Sequence, residues 1–244
     1  MSPFPIDDQP LEAPVRSLRS VAAELRGLAS AWVALGLRVP ELRAAPRGSG
    51  EPVLVIPGFR TSDHATVVVR RYLRALGYRV DGWGLGVNAG RIEQVLPIVA
   101  AQAEAMLNKT GIKPRLVGWS LGGVIAREVA RDYPHVVDRV VTMGTPVIGG
   151  PKYTVAAGSF AEINGEVLDA YVQRIEERLR RPLPVPVTAI FSRNDRVVAW
   201  RACRDPYHSD VDYVEVAATH AGLGFHPQVL LHVAAALADG VPNG

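Results

Sequence analysis

The sequence predicts an α/β fold: a mostly parallel central sheet with helices on both faces and one helical cap insertion. Three observations lead there. Short, wholly apolar runs such as Val53-Leu54-Val55-Ile56 read as strands buried on both faces, because a strand with one wet face would alternate apolar with polar residues. Between such runs lie longer segments whose apolar residues recur every three or four positions, the spacing of a helix with one face on a core. Connections between the two kinds are short except from Thr145 to Pro184, an interval far beyond the ~2–6 residues usual in strand–helix units.

In chain order, residues 1–10 hold three prolines and two aspartates and are expected to be loose. From Leu11 to Leu37 the residues Leu11, Val15, Leu18, Ala22, Leu25 and Trp32 share one helical stripe, with Arg16, Arg19 and Arg26 mostly off it. Left in water, a stripe of that length would promote aggregation, so the helix is expected to dock on its own chain. Pro40, Pro46, Gly48 and Gly50 read as a linker. The body opens with the strand Val53–Ile56, ended by Pro57-Gly58. His64 to Leu76 has helical period, although its β-branched run Thr66 to Val69 has low helix propensity. Arg79 to Trp83 is expected as a strand, Arg91 to Leu107 as a helix, Arg115 to Trp119 as a strand, Leu121 to Tyr133 as a helix and Arg139 to Met143 as a strand. The long interval is Gly- and Pro-rich in its first half. In its second half, Glu166 to Arg181, it carries the stripe Leu168, Tyr171, Val172, Ile175 and Leu179, the mark of a helical flap. Val185 to Phe191 and Val211 to Ala217 are further strands, and His226 to Ala238 a closing helix. This divides the chain into an extension with an amphipathic helix and linker, 1–50, and a body, 51–244, in which 145–184 is a cap or lid.

Composition removes several function classes. With 244 residues the chain can bury one full core, and 48% hydrophobic against 21% charged residues excludes a largely disordered protein. No apolar run approaches the ~20 residues of a membrane-spanning helix. A net charge of +3, spread over dispersed arginines without interleaved aromatics, argues against a nucleic-acid partner. The single cysteine, Cys203, excludes an internal disulfide framework and a Cys-rich zinc site, and the six histidines are dispersed, so neither metal nor cofactor is expected. Gly84, Gly86 and Gly90 fall one residue off the dinucleotide fingerprint and read as turns. An acidic, proline-rich start lacks the basic and apolar regions of a secretory signal, so a cytoplasmic location is expected.

The chemistry is concentrated in Gly118-Trp119-Ser120-Leu121-Gly122-Gly123, set between an apolar strand and a helix. Turning a strand into a helix within one residue strains Ser120 and requires small neighbours, because helix backbone then lies against strand. The same turn lifts the hydroxyl toward the outward-pointing N–H groups of the helix start. A serine hydroxyl needs a base to become a nucleophile, and the base needs an orienting acid. Candidates for both follow strands: Asp195 in Ser192-Arg193-Asn194-Asp195, and His220 in Thr219-His220-Ala221-Gly222. His226 competes with His220 but opens the last helix, where a surface or capping role is expected. Asp205 and Asp210 compete with Asp195 but lie further from a strand end. Asp63, just before a helix, reads as its N-cap, and Cys203 as a small buried residue.

With these residues in view, the chain resembles the α/β-hydrolase superfamily, and within it the bacterial lipase and esterase branch. The resemblance covers residues 52–239 and rests on Ile56-Pro57-Gly58-Phe59, the Ser120 turn, Gly144-Thr145-Pro146, Ser192-Arg193-Asn194-Asp195 and Thr219-His220. It implies that Ser120 is acylated, His220 moves the proton and Asp195 orients the imidazole. It also implies an oxyanion hole of the backbone N–H groups of Leu121 and Phe59. Two positions depart from the family: Pro57-Gly58 stands where many lipases have His-Gly, and Trp119 where many relatives have His. Trp119 either narrows the acyl pocket or packs beneath it.

The expected function is therefore hydrolysis of carboxylic esters with short to medium acyl chains, in lipid metabolism, with Trp119 and Tyr171 in the substrate pocket. The expected partners are a small-molecule or lipid ester substrate and, through residues 11–37, a second copy or an interface. An acyltransferase or thioesterase would use the same triad. A non-catalytic binding protein of this fold is the rival from another class, though such relatives usually lose a triad member and this chain keeps a candidate for each.

Overall fold

The computed structural model describes residues 11–165 and 167–238; the expected looseness of residues 1–10 concerns residues outside that range. Six strands form one sheet: β1 (Pro52–Ile56), β2 (Arg79–Gly82), β3 (Arg115–Trp119), β4 (Val140–Met143), β5 (Val187–Phe191) and β6 (Val211–Glu215). Their order is β2-β1-β3-β4-β5-β6 and every pairing is parallel. The apolar runs work as their pattern requires. Along β1, Val53 and Val55 enter one core and Leu54 and Ile56 the other, since successive side chains of a strand point to opposite faces. The first core is closed by α3 (Val67–Ala75) and α8 (Pro227–Ala238), the second by α4 (Ile92–Thr110) and α5 (Leu121–Asp132).

Strand order reverses at β1: the chain leaves β1 for α3 on one face and β3 for α5 on the other, which opens a crevice past their carboxyl ends, the usual ligand position in such sheets. Ile56 pairs with Gly118 there, which sets Pro57-Gly58-Phe59 beside Ser120.

The extension departs from expectation. Helix α1 runs Leu18–Leu37 instead of from Leu11, because Ser17 and Ser20 form a capping box: Ser20 N–H donates to Ser17 Oγ at 3.1 Å and Ser17 N–H to Ser20 Oγ at 2.8 Å. The expected linker contains a short helix, α2 (Val39–Arg43), with Pro40 in its first turn. The docking face is also reversed. Leu18 and Leu25 of the apolar stripe are 90% and 61% exposed, whereas Ala31, on the opposite face, is fully buried. Small residues set the contact: a Cβ on Gly27 would collide with the Thr219 side chain, so only glycine permits that approach.

Between β4 and β5 lie two helices, α6 (Ala157–Asn164) and α7 (Leu168–Leu179), where a single flap was expected. Helix α6 escapes a reading by period because Ala157-Gly158-Ser159 is all small and Phe160 is its one buried residue. Helix α7 buries Val172 and Leu179 of its stripe and is pinned to α5 by charge. Arg178 contacts Glu128 and Asp132, and Arg181 reaches Asp132 at 2.9 Å.

Among the described residues, the most deeply buried ion pair joins α5 to the segment before β6. Arg127 of α5 meets Asp205, with side chains 3% and 1% exposed. Asp205 also accepts from Tyr207 N–H at 2.9 Å and His208 N–H at 3.1 Å, and His208 Nδ1 lies 2.8 Å from it. Removing one partner leaves a buried charge uncompensated, so Asp205→Ala is expected to cost about 3–5 kcal/mol of stability in urea denaturation. The pair Arg127→Met with Asp205→Leu is expected to lose less than that single change.

Candidate active site

Ser120 sits between β3 and α5 with φ 53° and ψ −121°, one of two non-glycine residues with positive φ among those described. Holding a serine there costs on the order of 1–3 kcal/mol and requires the surroundings to impose it. They do so through backbone. Ser120 N–H donates to Met143 O at 2.8 Å, and Ser120 O accepts from Gly123 N–H at 3.0 Å and from Thr145 Oγ1 at 3.0 Å. The flanking glycines are sterically required: a Cβ on Gly118 would strike Gly122 and Gly123 backbone, and one on Gly122 would strike Ile56 O.

His220 and Asp195 arrive from the ends of β6 and β5. Asp195 follows Phe191 through a tight turn in which Asn194 N–H donates to Ser192 Oγ at 3.0 Å. One carboxylate oxygen, Oδ1, accepts from Val197 N–H at 2.8 Å and Val198 N–H at 2.7 Å; the other, Oδ2, lies 2.6 Å from His220 Nδ1. Both residues are buried. This geometry puts the proton of neutral His220 on Nδ1 and leaves Nε2 with its lone pair. Burial by itself would lower the imidazole pKa, but the Asp195 charge and hydrogen bond, with Glu24 adding, raise it above the ordinary value. Gly144, at φ 56°, lies under the pair: a Cβ there would come within 3.1 Å of Asp195 Oδ2 and 3.2 Å of His220 Nδ1.

Ser120 and His220 line one cavity of about 150 Å³, together with Phe59, Trp119, Leu121 and Phe160. No described group accepts a hydrogen bond from the N–H of Phe59 or Leu121. Trp119 lines this cavity and also packs on Gly224, with its ring 6.0 Å from that of His220. Tyr171 does not line it; its ring lies 5.0 Å from Phe160, which does. A larger cavity, about 740 Å³, lies between residues 11–26 and the Asp195 loop and is lined by neither Ser120 nor His220.

The competing residues are engaged elsewhere. Asp205 serves Arg127. His226 precedes α8, away from the cavity, and burial and the Arg38 charge lower its pKa. Cys203 is fully buried, and burial, then the Asp195 charge, push its thiol well above the ordinary range, which disfavours the thiolate. Asp63 is not an N-cap: Thr66 holds that position, and Asp63 accepts from Trp83 N–H and Gly84 N–H, both at 3.0 Å.

Sequence reasoning missed Thr145 as the hydroxyl that holds Ser120 O, and it missed Glu24 altogether. Glu24, on α1, accepts from the backbone N–H of Arg196 at 3.0 Å, of His220 at 3.2 Å and of Ala221 at 2.9 Å. Its only trace in the sequence is that it is acidic in a helix whose other charges are arginines.

Comparison with known proteins adds a family. A family model described as alpha/beta hydrolase fold matches residues 51–183. A pimeloyl-[acyl-carrier protein] methyl ester esterase of Hamiltonella defensa is 30% identical over 100 residues, 41% of this chain and 36% of that protein, so the match spans about a third of the relative's length. Among solved structures, a monoacylglycerol lipase of Paleococcus ferrophilus aligns with TM-score 0.57 at 17% identity, covering 78% of this chain and 96% of that one. A thioesterase domain from the curacin biosynthetic pathway aligns with TM-score 0.51 at 17% identity, covering 80% and 92%. At such identities the structural likeness concerns the fold.

Proposed function

The chain belongs to the alpha/beta hydrolase fold family, and from that premise we propose that it cleaves carboxylic esters through an acyl-enzyme on Ser120, His220 and Asp195. The observation that carries the reading is the strained Ser120 turn opening into the same cavity as His220, whose far nitrogen is held by Asp195 at 2.6 Å. Ser120 Oγ attacks the ester carbonyl carbon while His220 Nε2 takes its proton. The carbonyl oxygen, now carrying the negative charge, sits on the N–H groups of Leu121 and Phe59, each such donor contributing ~3–4 kcal/mol to the transition state. Collapse of the tetrahedral species breaks the bond to the leaving alkoxide, which receives the proton from His220. Water repeats the cycle in reverse and frees the acid. Residues 51–244 form the hydrolase domain in this reading, with 145–184 as its cap.

The cavity is small and lined mainly by apolar side chains, which supports short acyl chains. Initial rates on p-nitrophenyl esters from acetate to palmitate are expected to peak at the short end, and a maximum at palmitate would overturn the chain-length reading. His220 must be neutral to act as base. Because its pKa is raised, kcat/KM is expected to be flat at alkaline pH and to fall as pH drops through a value above 6.5. A profile flat down to pH 5 would remove His220 from the role.

A thioesterase acting through the same Ser120, His220 and Asp195 is the second reading. It predicts that a coenzyme A thioester outperforms the matching oxygen ester. The outward stripe of α1, including Leu18 and Leu25, supports contact with a second copy or an interface.

A further inference from the structure

The geometry points to Glu24 as a positioning residue for His220: its carboxylate ties the loop of the catalytic base to the loop of the orienting acid. The inference rests on the Ser120–His220–Asp195 reading and adds an element outside the matched family region, 51–183. Glu24 Oε1 accepts from Arg196 N–H, next to Asp195, and from His220 N–H itself, while Oε2 accepts from Ala221 N–H. One side chain thus bridges two segments that no strand pairing joins beyond Phe191 and Glu215.

The way α1 docks argues that this contact is more than packing. A helix held chiefly by apolar burial would turn its apolar stripe inward, yet Leu18 and Leu25 of that stripe face out and Ala31 is the one buried residue of α1. What meets the body is the Glu24 carboxylate, Gly27 against Thr219, Trp32 stacked on Phe225 at 5.2 Å, and Leu35 packed on the first core. Glu24, Gly27 and Trp32 all grip residues 219–225, which carry His220. Among described residues, the charges that act on the His220 imidazole are Asp195 from the acid loop and Glu24 from α1, and both favour the imidazolium. That ion forms as Ser120 loses its proton, so Glu24 would hold His220 in place and stabilise its charged form.

The test compares wild type, Glu24→Gln, Glu24→Asp and Ser120→Ala in the full chain. The readouts are p-nitrophenyl acetate hydrolysis and the pH dependence of labelling by a fluorophosphonate, in which serine oxygen bonds phosphorus and fluoride leaves. Glu24→Gln keeps the shape, so the fold is expected to persist by circular dichroism and melting. Its kcat is expected to fall roughly tenfold with KM little changed, because charge-assisted hydrogen bonds are lost during the proton transfer. The acid limb of its labelling profile is expected to move to lower pH, since removing a negative charge lowers the His220 pKa. Glu24→Asp is expected to restore the limb. A folded Glu24→Gln with unchanged kcat and an unmoved limb overturns the inference; so does a fall in kcat that follows only the folded fraction. If Ser120→Ala still labels and turns over, the triad reading fails, whatever Glu24 does.

Discussion

Ser120→Ala is expected to lower kcat for ester hydrolysis by on the order of 10⁵–10⁶ while leaving the fold intact. The size follows from removing the atom that becomes acylated: what remains is binding and the N–H groups of Leu121 and Phe59 acting on a direct attack by water. Stability should hardly change. Alanine at φ 53° carries the same Cβ strain as serine, and the bonds that fix the turn, to Met143 O and from Gly123 N–H and Thr145 Oγ1, involve backbone atoms of residue 120 that the change keeps. Melting temperature and kcat measured on one preparation therefore separate the two effects. A variant that melts like wild type and retains a tenth of its rate would exclude the acyl-enzyme on Ser120. Equal losses of rate and folded protein would instead mark the serine as structural.

Asp195→Asn is expected to cost about 10⁴ in kcat, and the reason is a tautomer. The Asp195 carboxylate divides its work, with Oδ1 on the N–H groups of Val197 and Val198 and Oδ2 on His220 Nδ1. An asparagine has one oxygen. The two backbone donors claim it, so the amide NH₂ turns to His220 and Nδ1 must accept. The imidazole proton then sits on Nε2, which can no longer take a proton from Ser120. With the negative charge gone, the His220 pKa also falls, so whatever activity remains should extend to lower pH than in wild type. Asp205→Asn provides the contrast. Its carboxylate faces Arg127, so stability should drop and the rate per folded molecule should not. If the two variants exchanged phenotypes, Asp205 would be the acid and Asp195 the structural residue.

The strand runs and the Ser120 turn were legible because their causes are local. Four apolar residues in a row between turn residues can be satisfied in few ways, and Gly118 and Gly122 flank a position that a larger neighbour would block. Asp195 and His220 were legible for a related reason: a parallel sheet brings the ends of β3, β5 and β6 to one edge, so acids and bases just past strands converge. Helix α6 was illegible because Gly158 and Ser159 weaken its first turn and Phe160 alone is buried, so no apolar stripe recurs; packing of Phe160 against Phe59 and Tyr171 supplies what the local sequence lacks.

Fold class and family could be read from the chain alone, and so could the candidates Ser120, Asp195 and His220, since each depends on short-range pattern or on the order of strands. Three features come from folding alone: which face of α1 meets the body, the hold of Arg178 and Arg181 on α5, and the reach of Glu24 to the loops of Asp195 and His220. Periodicity tells which residues share a face but not what that face meets. Glu24 lies 196 positions from His220, and what joins them is backbone N–H, which every non-proline residue carries and no sequence pattern marks.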